Sequence, residues 1–420
     1  VEILLQLTSY QIENQYYSEA IISQITAAAL VAEYLQLIGK IPNYFKDKHP
    51  ANKFCIASPS AVSEVCPKYI IDDIPRLNGF CTSKYFCEYG LIYLMSIAID
   101  ACKRAKFFEL SSRIQSLLSP IAAHRKLWQF LKNYYTTGVF SWQIISNLTT
   151  SNDRNLGNYY RIQFYDGKCK HNYIYRETNF SNLWQVSKRL QKSSEFYAKG
   201  LNVVVVNEGE EINIDKTEPG NYYIHVRSVA PYFEPNEIKK RITVFEQNHN
   251  ISKFYYDIPF SKDSQSSIRN CWLNRTIYTI PYPMPYIIKR VEIPSENIKK
   301  ETYTPIQYSN YNIRKQIYAL EEAISRKDCI CLQPLLQGSL LVQVNEGPKR
   351  IAEIFLSDEE ENEDKQELRN TFRLFLKVNS IAVKMHSNYV IKNPIYAVLQ
   401  EELESALNRI TSALQPYLKK

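Results

Sequence analysis

The sequence predicts an α+β multi-lobe fold: an N-terminal antiparallel helical array, a central lobe of two antiparallel β-sheets and a C-terminal four-helix bundle. Three observations predict it. Apolar residues recur at helical spacing to about residue 150, aromatic and β-branched residues alternate from about 155 to 300, and helical spacing returns from 304. The expected domains are 1–150, 151–303 and 304–420.

In the first region Ile21, Ile25, Ala28 and Ala32 mark one helical face, and Gly39 supplies a C-cap before Pro42. A polar, proline-containing loop is expected at 42–78. Two further helical segments follow, beginning near Ser83 and Phe107. Successive amphipathic helices with short joins suggest an antiparallel array, and no 34-residue period marks a repeat protein. In the second region Asp166-Gly167 sits between two alternating runs, a strong hairpin signal. Further strands are expected in LNVVVVNE, NYYIHVRSVAPYF, SKFYYDIPF, RNCWLNRTIYTI and PYIIKRVEI, with one helix from Asn182 interrupting them. In the third region Thr304-Pro305 reads as N-cap and first-turn proline. Leu368, Phe372, Phe375 and Ala382 share a face of the next long helix. The last helix opens at Asn393-Pro394 and carries Val398, Leu403, Leu407, Ile410 and Leu414.

Composition narrows the function. The 420 residues are 45% hydrophobic and 22% charged, enough to bury sizeable cores. The net charge of +8 is scattered rather than gathered into a basic stripe, which argues against direct nucleic-acid binding. The densest charge run, SDEEENEDK at 357–365, reads as a solvated helix–helix connection. Nine irregularly spaced cysteines argue against a disulfide framework, and Cys329-Ile-Cys331 lacks a second ligand pair at metal-site spacing. No apolar stretch is expected to span a bilayer, because Ser23, Gln24, Thr26 and Glu33 split the longest candidate. The opening VEILLQLTSYQ lacks Met and reads as a piece of a longer protein. Phosphate-loop, zincin, nucleophile-elbow and Cys-x-x-Cys signatures are all missing. The six histidines stand apart from one another and read as surface or capping residues. Function through protein surfaces is favoured over covalent chemistry. No cofactor and no protein-held metal are expected.

One stretch does not fit plain helix packing. In GSLLVQVNEGPKRIAEIFL (338–356), Gly347-Pro348 ends one helix and begins the next. The residues allow two readings. Val344 is a core staple in an ordinary helix–loop–helix joint, or the loop projects Val344 outward into a partner.

The residues from Leu335 to Leu356 resemble the segment bearing the nucleotide sensor in the catalytic region of the dedicator-of-cytokinesis (DOCK) exchange factors, DOCK homology region two. Other stretches agree in order: AAALVAEYLQ (27–36), SKYFCEYGLIYLM (83–95), YYRIQFYDGK (159–168), VAPYFEPNEIKKRITVFEQNHNISKFYYDIPF (229–260), RTIYTIPYPMPYIIKRVEI (275–293) and YTPIQ (303–307). The matches span nearly the whole chain, and QVNEGP leans toward the zizimin-related branches. The resemblance implies a helical lobe for homodimerisation, then a β lobe and a four-helix lobe that grip a Rho-family small GTPase of Rac or Cdc type. It implies guanine-nucleotide exchange, with Val344 as nucleotide sensor and Asn345, Gly347 and Pro348 completing its loop. The β-lobe loop that meets the GTPase corresponds to Asn207, Glu208 and Gly209. It further implies a cytoplasmic protein recruited to membrane through regions outside this chain. Glu346 and Lys349-Arg350 depart from the family pattern and bear on the choice of GTPase. The alternative is a non-catalytic dimeric scaffold that binds GTPases or other partners.

Overall fold

Helix α1 (Glu2–Glu13) is joined to α2 (Tyr17–Leu37) by polar residues that the sequence presents as interruptions. Ser23 Oγ donates to Gln11 Oε1 at 3.0 Å, and Gln24 Nε2 donates to Thr8 Oγ1 at 2.7 Å. Helix α2 ends as expected. Gly39 has φ +69°, and the Gly39 and Lys40 amides donate to the carbonyls of Gln36 and Leu35, closing a Schellman cap. The expectation of no membrane-length stretch is corrected. By length and composition α2 is long and apolar enough to cross a membrane, yet most of it is buried. Ile21, Ile25, Ala28 and Ala32 lie in a helical core instead. The computed structural model describes all 420 residues except 42–46, 48, 66–83, 148–153, 155, 168, 179–180, 198–199, 207–211, 213–216, 239, 242, 263–267, 343–346, 358–361 and 419–420.

The expected loop at 42–78 contains helix, a 3-10 turn at Pro50–Ile56 and α3 (Pro59–Val65). Helices α4 (Glu88–Ala105), α5 (Phe108–His124) and α6 (Trp128–Asn147) complete the array, each packing on the next. Two compact units divide the chain: Val1–Tyr256 with Ile277–Lys299, and Asp257–Thr276 with Lys300–Lys420.

In the first unit β1 (Asn158–Tyr165) and β2 (Lys170–Glu177) form the expected hairpin, with Asp166 Oδ1 accepting the Cys169 amide at 2.7 Å. Helix α7 (Leu183–Tyr197) leads to β3 (Asn202–Val206) and β4 (Asn221–Pro231). After the short α8 (Pro235–Ile238) come β5 (Ile251–Ser261), β6 (Cys271–Met284), β7 (Arg290–Glu292) and β8 (Ile298–Tyr303), of which β5, β6 and β8 each belong in part to the second unit. The strand order is β7-β2-β1-β4-β5-β6-β8, with β3 beside β4. The β1 and β5 ladders lie along different stretches of β4, so two sets of strands share it. Strands β1–β2, β1–β4, β2–β7 and β4–β5 pair antiparallel and β3 pairs parallel with β4, in keeping with the mostly antiparallel lobe expected. Residues 207–220 are long enough to return the chain for parallel pairing, which a tight turn is not.

Alternation sorts the side chains. Tyr160, Ile162 and Tyr175 pack on Val186 and Leu190 of α7, whereas Tyr159 and Ile174 pack with Phe254 and Tyr278. Buried polar residues share the second face. Arg161 Nη1 donates to His225 Nδ1 at 2.8 Å and Nη2 to Asn172 Oδ1 at 2.9 Å. His225, His249 and His386 are all buried, correcting the expectation that the histidines sit on the surface. Glu19 of α2 pairs with Arg176 of β2 at 3.1 Å, both 3% exposed. Removing one partner of such a pair costs about 3–5 kcal/mol, because the other charge stays buried.

In the second unit α9 (Pro305–Ser325) opens with a full capping box. Thr304 Oγ1 accepts the Gln307 amide, and Gln307 Oε1 accepts the Thr304 amide. Helices α10 (Cys329–Leu336), α11 (Gly347–Phe355), α12 (Glu363–Val390) and α13 (Ala397–Leu418) come after it. Leu336, Leu340, Leu368, Phe372, Phe375, Leu403 and Ile410 build one core. Helices α9, α12 and α13 are three members of the bundle, and α10 with α11 forms the interrupted fourth. The last helix starts later than expected. Pro394–Tyr396 is a 3-10 turn, and Val398 is 70% exposed rather than in the core.

Candidate exchange site

The interruption in the fourth bundle member is built in stages. Asp328 N-caps α10, its Oδ1 accepting the Cys331 amide at 3.0 Å. Burial alone would raise the Asp328 carboxyl, but the Cys331 and Ile330 donors outweigh it and hold it below its usual range. The same carboxylate pushes the Cys331 thiol up through its hydrogen bond, and burial with Asp328 pushes Cys329 up. Both shifts disfavour the thiolate.

Pro334 lies inside α10 and has no amide hydrogen to offer the helical ladder. The next turn, Gln337–Leu341, is a π-helix, with the Val342 amide donating to Gln337 O at 2.9 Å. Val342 is 57% exposed at its end. Val344 and Asn345 fall in 343–346, outside the described residues, as do Asn207, Glu208 and Gly209. Of the expected site residues, the structure describes Gly347 and Pro348. Gly347 has φ +73° and is buried, a backbone state that a side-chain-bearing residue adopts at a cost. Pro348 follows in the first turn of α11, where its missing amide hydrogen leaves no bond unmade.

Gly347 and Pro348 line a cavity of about 310 Å³ within the second unit, together with Pro259, Cys271, Tyr308 and Asn312. Its hairpin wall is fastened by Arg275, which grips Asp257 through two bonds of 2.8 Å. The Arg275 guanidinium also lies against the rings of Tyr303 and Tyr311, at 5.0 and 4.3 Å. Burial alone would lower the Arg275 pKa, but the bonds and charge of Asp257 raise it, so the clamp stays charged. Lys349 and Arg350, the charges that depart from the family pattern, both approach Glu353, at 3.7 and 3.3 Å. These pairs are exposed and contribute little to stability. Sequence reasoning missed the π turn, the Arg275 clamp and the cavity. Pro334 and Gly338 were the available signal, since neither favours a regular helix.

Three family models match the chain in order: "DHR-2, Lobe A" over residues 1–140, "DHR-2, Lobe B" over 210–283 and "DHR-2, Lobe C" over 319–417. They fall on the helical array, the strands and the interrupted bundle. The chain belongs to the DHR-2 family of dedicator-of-cytokinesis proteins. Similar full-length proteins include dedicator of cytokinesis protein 7 of Homo sapiens, 29% identical over 97% of this chain and 19% of the relative. Dedicator of cytokinesis protein 8 of Homo sapiens is 27% identical over 97% of this chain and 20% of its own length. Dedicator of cytokinesis protein 6 of Mus musculus is 27% identical over 96% and 20%. The DHR-2 chain therefore spans about a fifth of the length of these relatives.

Proposed function

We propose that this DHR-2 domain is a guanine-nucleotide exchange factor for a Rho-family small GTPase of Rac or Cdc type, from a zizimin-related branch. The observation that carries the reading is the ordered match of all three lobe models, with the Gly347-Pro348 joint lying inside the third. On this reading 1–150 dimerises, 151–303 contacts the GTPase through Asn207, Glu208 and Gly209, and 304–420 carries the sensor Val344. The protein is cytoplasmic, acts on the cytoskeleton through its GTPase, and reaches membrane by regions beyond this chain.

The chemistry explains the residue type. Magnesium in a GTPase demands near-octahedral oxygen ligation and keeps several waters. An isopropyl group pushed into that space offers no ligand and excludes water, so the ion leaves and the GDP phosphates lose a counter-charge. A carboxylate would ligate the ion, and glycine would leave room for it. Val344 does not suffice alone. A 10⁴-fold shift needs about 5.5 kcal/mol of differential binding, and burying one valine yields ~1.5–3 kcal/mol. The rest comes from a broad interface that holds the GTPase open. Coupling is reciprocal, so GTP with magnesium expels the exchange factor in turn.

Fluorescent-GDP release from a panel of Rac- and Cdc-type GTPases tests the proposal. Acceleration on at least one is expected. Stable binding to GTPases without acceleration on any would instead establish the dimeric scaffold.

A further inference from the structure

The π turn Gln337–Leu341 packs into the bundle core through Leu340 and is also met by a buried amide of α12. Asn379 of α12 is 0% exposed, and Ser339 in the π turn is 7% exposed. Ser339 Oγ lies 2.8 Å from Asn379 Oδ1, to which it donates, and 3.2 Å from Leu336 O. Asn379 Nδ2 donates to Phe375 O at 2.9 Å. An amide in an apolar core is costly unless its polar atoms are paired. Asn379 sits beside Phe375 and Ala382 in such a core, and its oxygen is paired by a residue of the π turn.

That pairing discriminates between helical registers. If Gln337–Leu341 relaxed to α-helix, one residue would be taken out of the widened turn. Everything after it would rotate by roughly 100° and shift by about 1.5 Å along the axis. Val342 would then point elsewhere, and Asn379 would lose its partner. Gly338 does not force the π turn, since a Cβ there would meet nothing within 4 Å. The Ser339–Asn379 bond is the specific restraint. The π turn closes α10, since Val342 beyond it is extended at φ −92° and ψ 103°.

We propose that Asn379 and Ser339 are positioning residues for nucleotide exchange. Their bond locks the π turn and so sets the direction from which the sensor segment enters the GTPase. The inference rests on the reading of Val344 as sensor.

The test compares Ser339→Ala, Ser339→Thr, Asn379→Leu and Val344→Ala with the unmodified chain. Thermal unfolding, affinity for nucleotide-free GTPase, and kcat and KM of fluorescent-GDP release are measured on each. Loss of one hydrogen bond predicts that Ser339→Ala lowers kcat about 10-fold. Its KM and its affinity for nucleotide-free GTPase stay unchanged, and Ser339→Thr, which keeps the hydroxyl, retains most of the rate. If Ser339→Ala and Asn379→Leu leave kcat intact while Val344→Ala lowers it, the positioning role is wrong and the sensor stands. If Val344→Ala has no effect, both fall. A parallel drop in kcat, affinity and melting temperature in Ser339→Ala would make the bond merely structural and overturn the proposal.

Discussion

His249 illustrates what burial does to a titratable group in this chain. It is 3% exposed, stacks on Phe245 at 4.8 Å, and its Nε2 donates to Ala57 O at 3.0 Å. Burial pushes its pKa down to about 4, the Ala57 bond opposes this, and Arg113, Arg241 and Arg176 reinforce it. The folded chain therefore keeps His249 neutral, while the unfolded chain takes up a proton below about 6.5. Stability from this residue is present above pH 6.5 and is lost as pH falls toward 4. Between pH 7 and pH 5 the loss is about 2 kcal/mol. Urea unfolding at the two pH values should show it, and His249→Gln should flatten the difference by that amount. An equal pH slope in the variant would show that His249 is not the group responsible. Sequence position could not reveal this burial, because a lone histidine in a polar stretch carries no mark of the elements folded over it.

At the scale of elements, local signals were read well where the backbone itself imposes them. Gly39 ends α2, Asp166-Gly167 turns the first hairpin, and Thr304-Pro305 caps α9. What escaped depends on distant partners. The parallel β3 is fixed by β4, β8 is too charged to read as a strand, and the π turn is fixed by Asn379 on another helix. In α2 the polar Ser23 and Gln24 mask a membrane-length apolar helix in the sequence, because the partners that satisfy them lie on α1. Helix α6 also carries a legible surface. Trp128, Tyr135, Val139 and Trp142 fall on one stripe and are 63%, 59%, 69% and 54% exposed. Leu131, Tyr134 and Ser141, on the adjoining face, are buried. An exposed apolar stripe of this kind is an interface signature, and it supports our proposal that the helical lobe dimerises. Replacing Tyr135 and Val139 together by Glu should yield a monomer in sedimentation with an unchanged melting temperature. A persistent dimer would place the contact elsewhere.

For the molecule as a whole, the order of helical array, strands and bundle was legible because each period fills one contiguous stretch of sequence. The hairpin Asp257–Thr276 is a different case. It belongs to one compact unit with Lys300–Lys420, although its residues read as ordinary strands. Arg275, clamped by Asp257 and laid against Tyr303 and Tyr311, explains the attachment, and no spacing rule announces it. The cavity beside Gly347 and Pro348 is a product of that attachment, since Pro259 and Cys271 form part of its wall. The central question is whether Val344, between α10 and α11, expels nucleotide. The most direct measurement is kcat for GDP release by Val344→Ala, taken together with its affinity for the nucleotide-free GTPase. A sensor role for Val344 predicts a steep fall in kcat with affinity largely retained. An unchanged kcat, or a loss of affinity that matches the loss of rate, would contradict it.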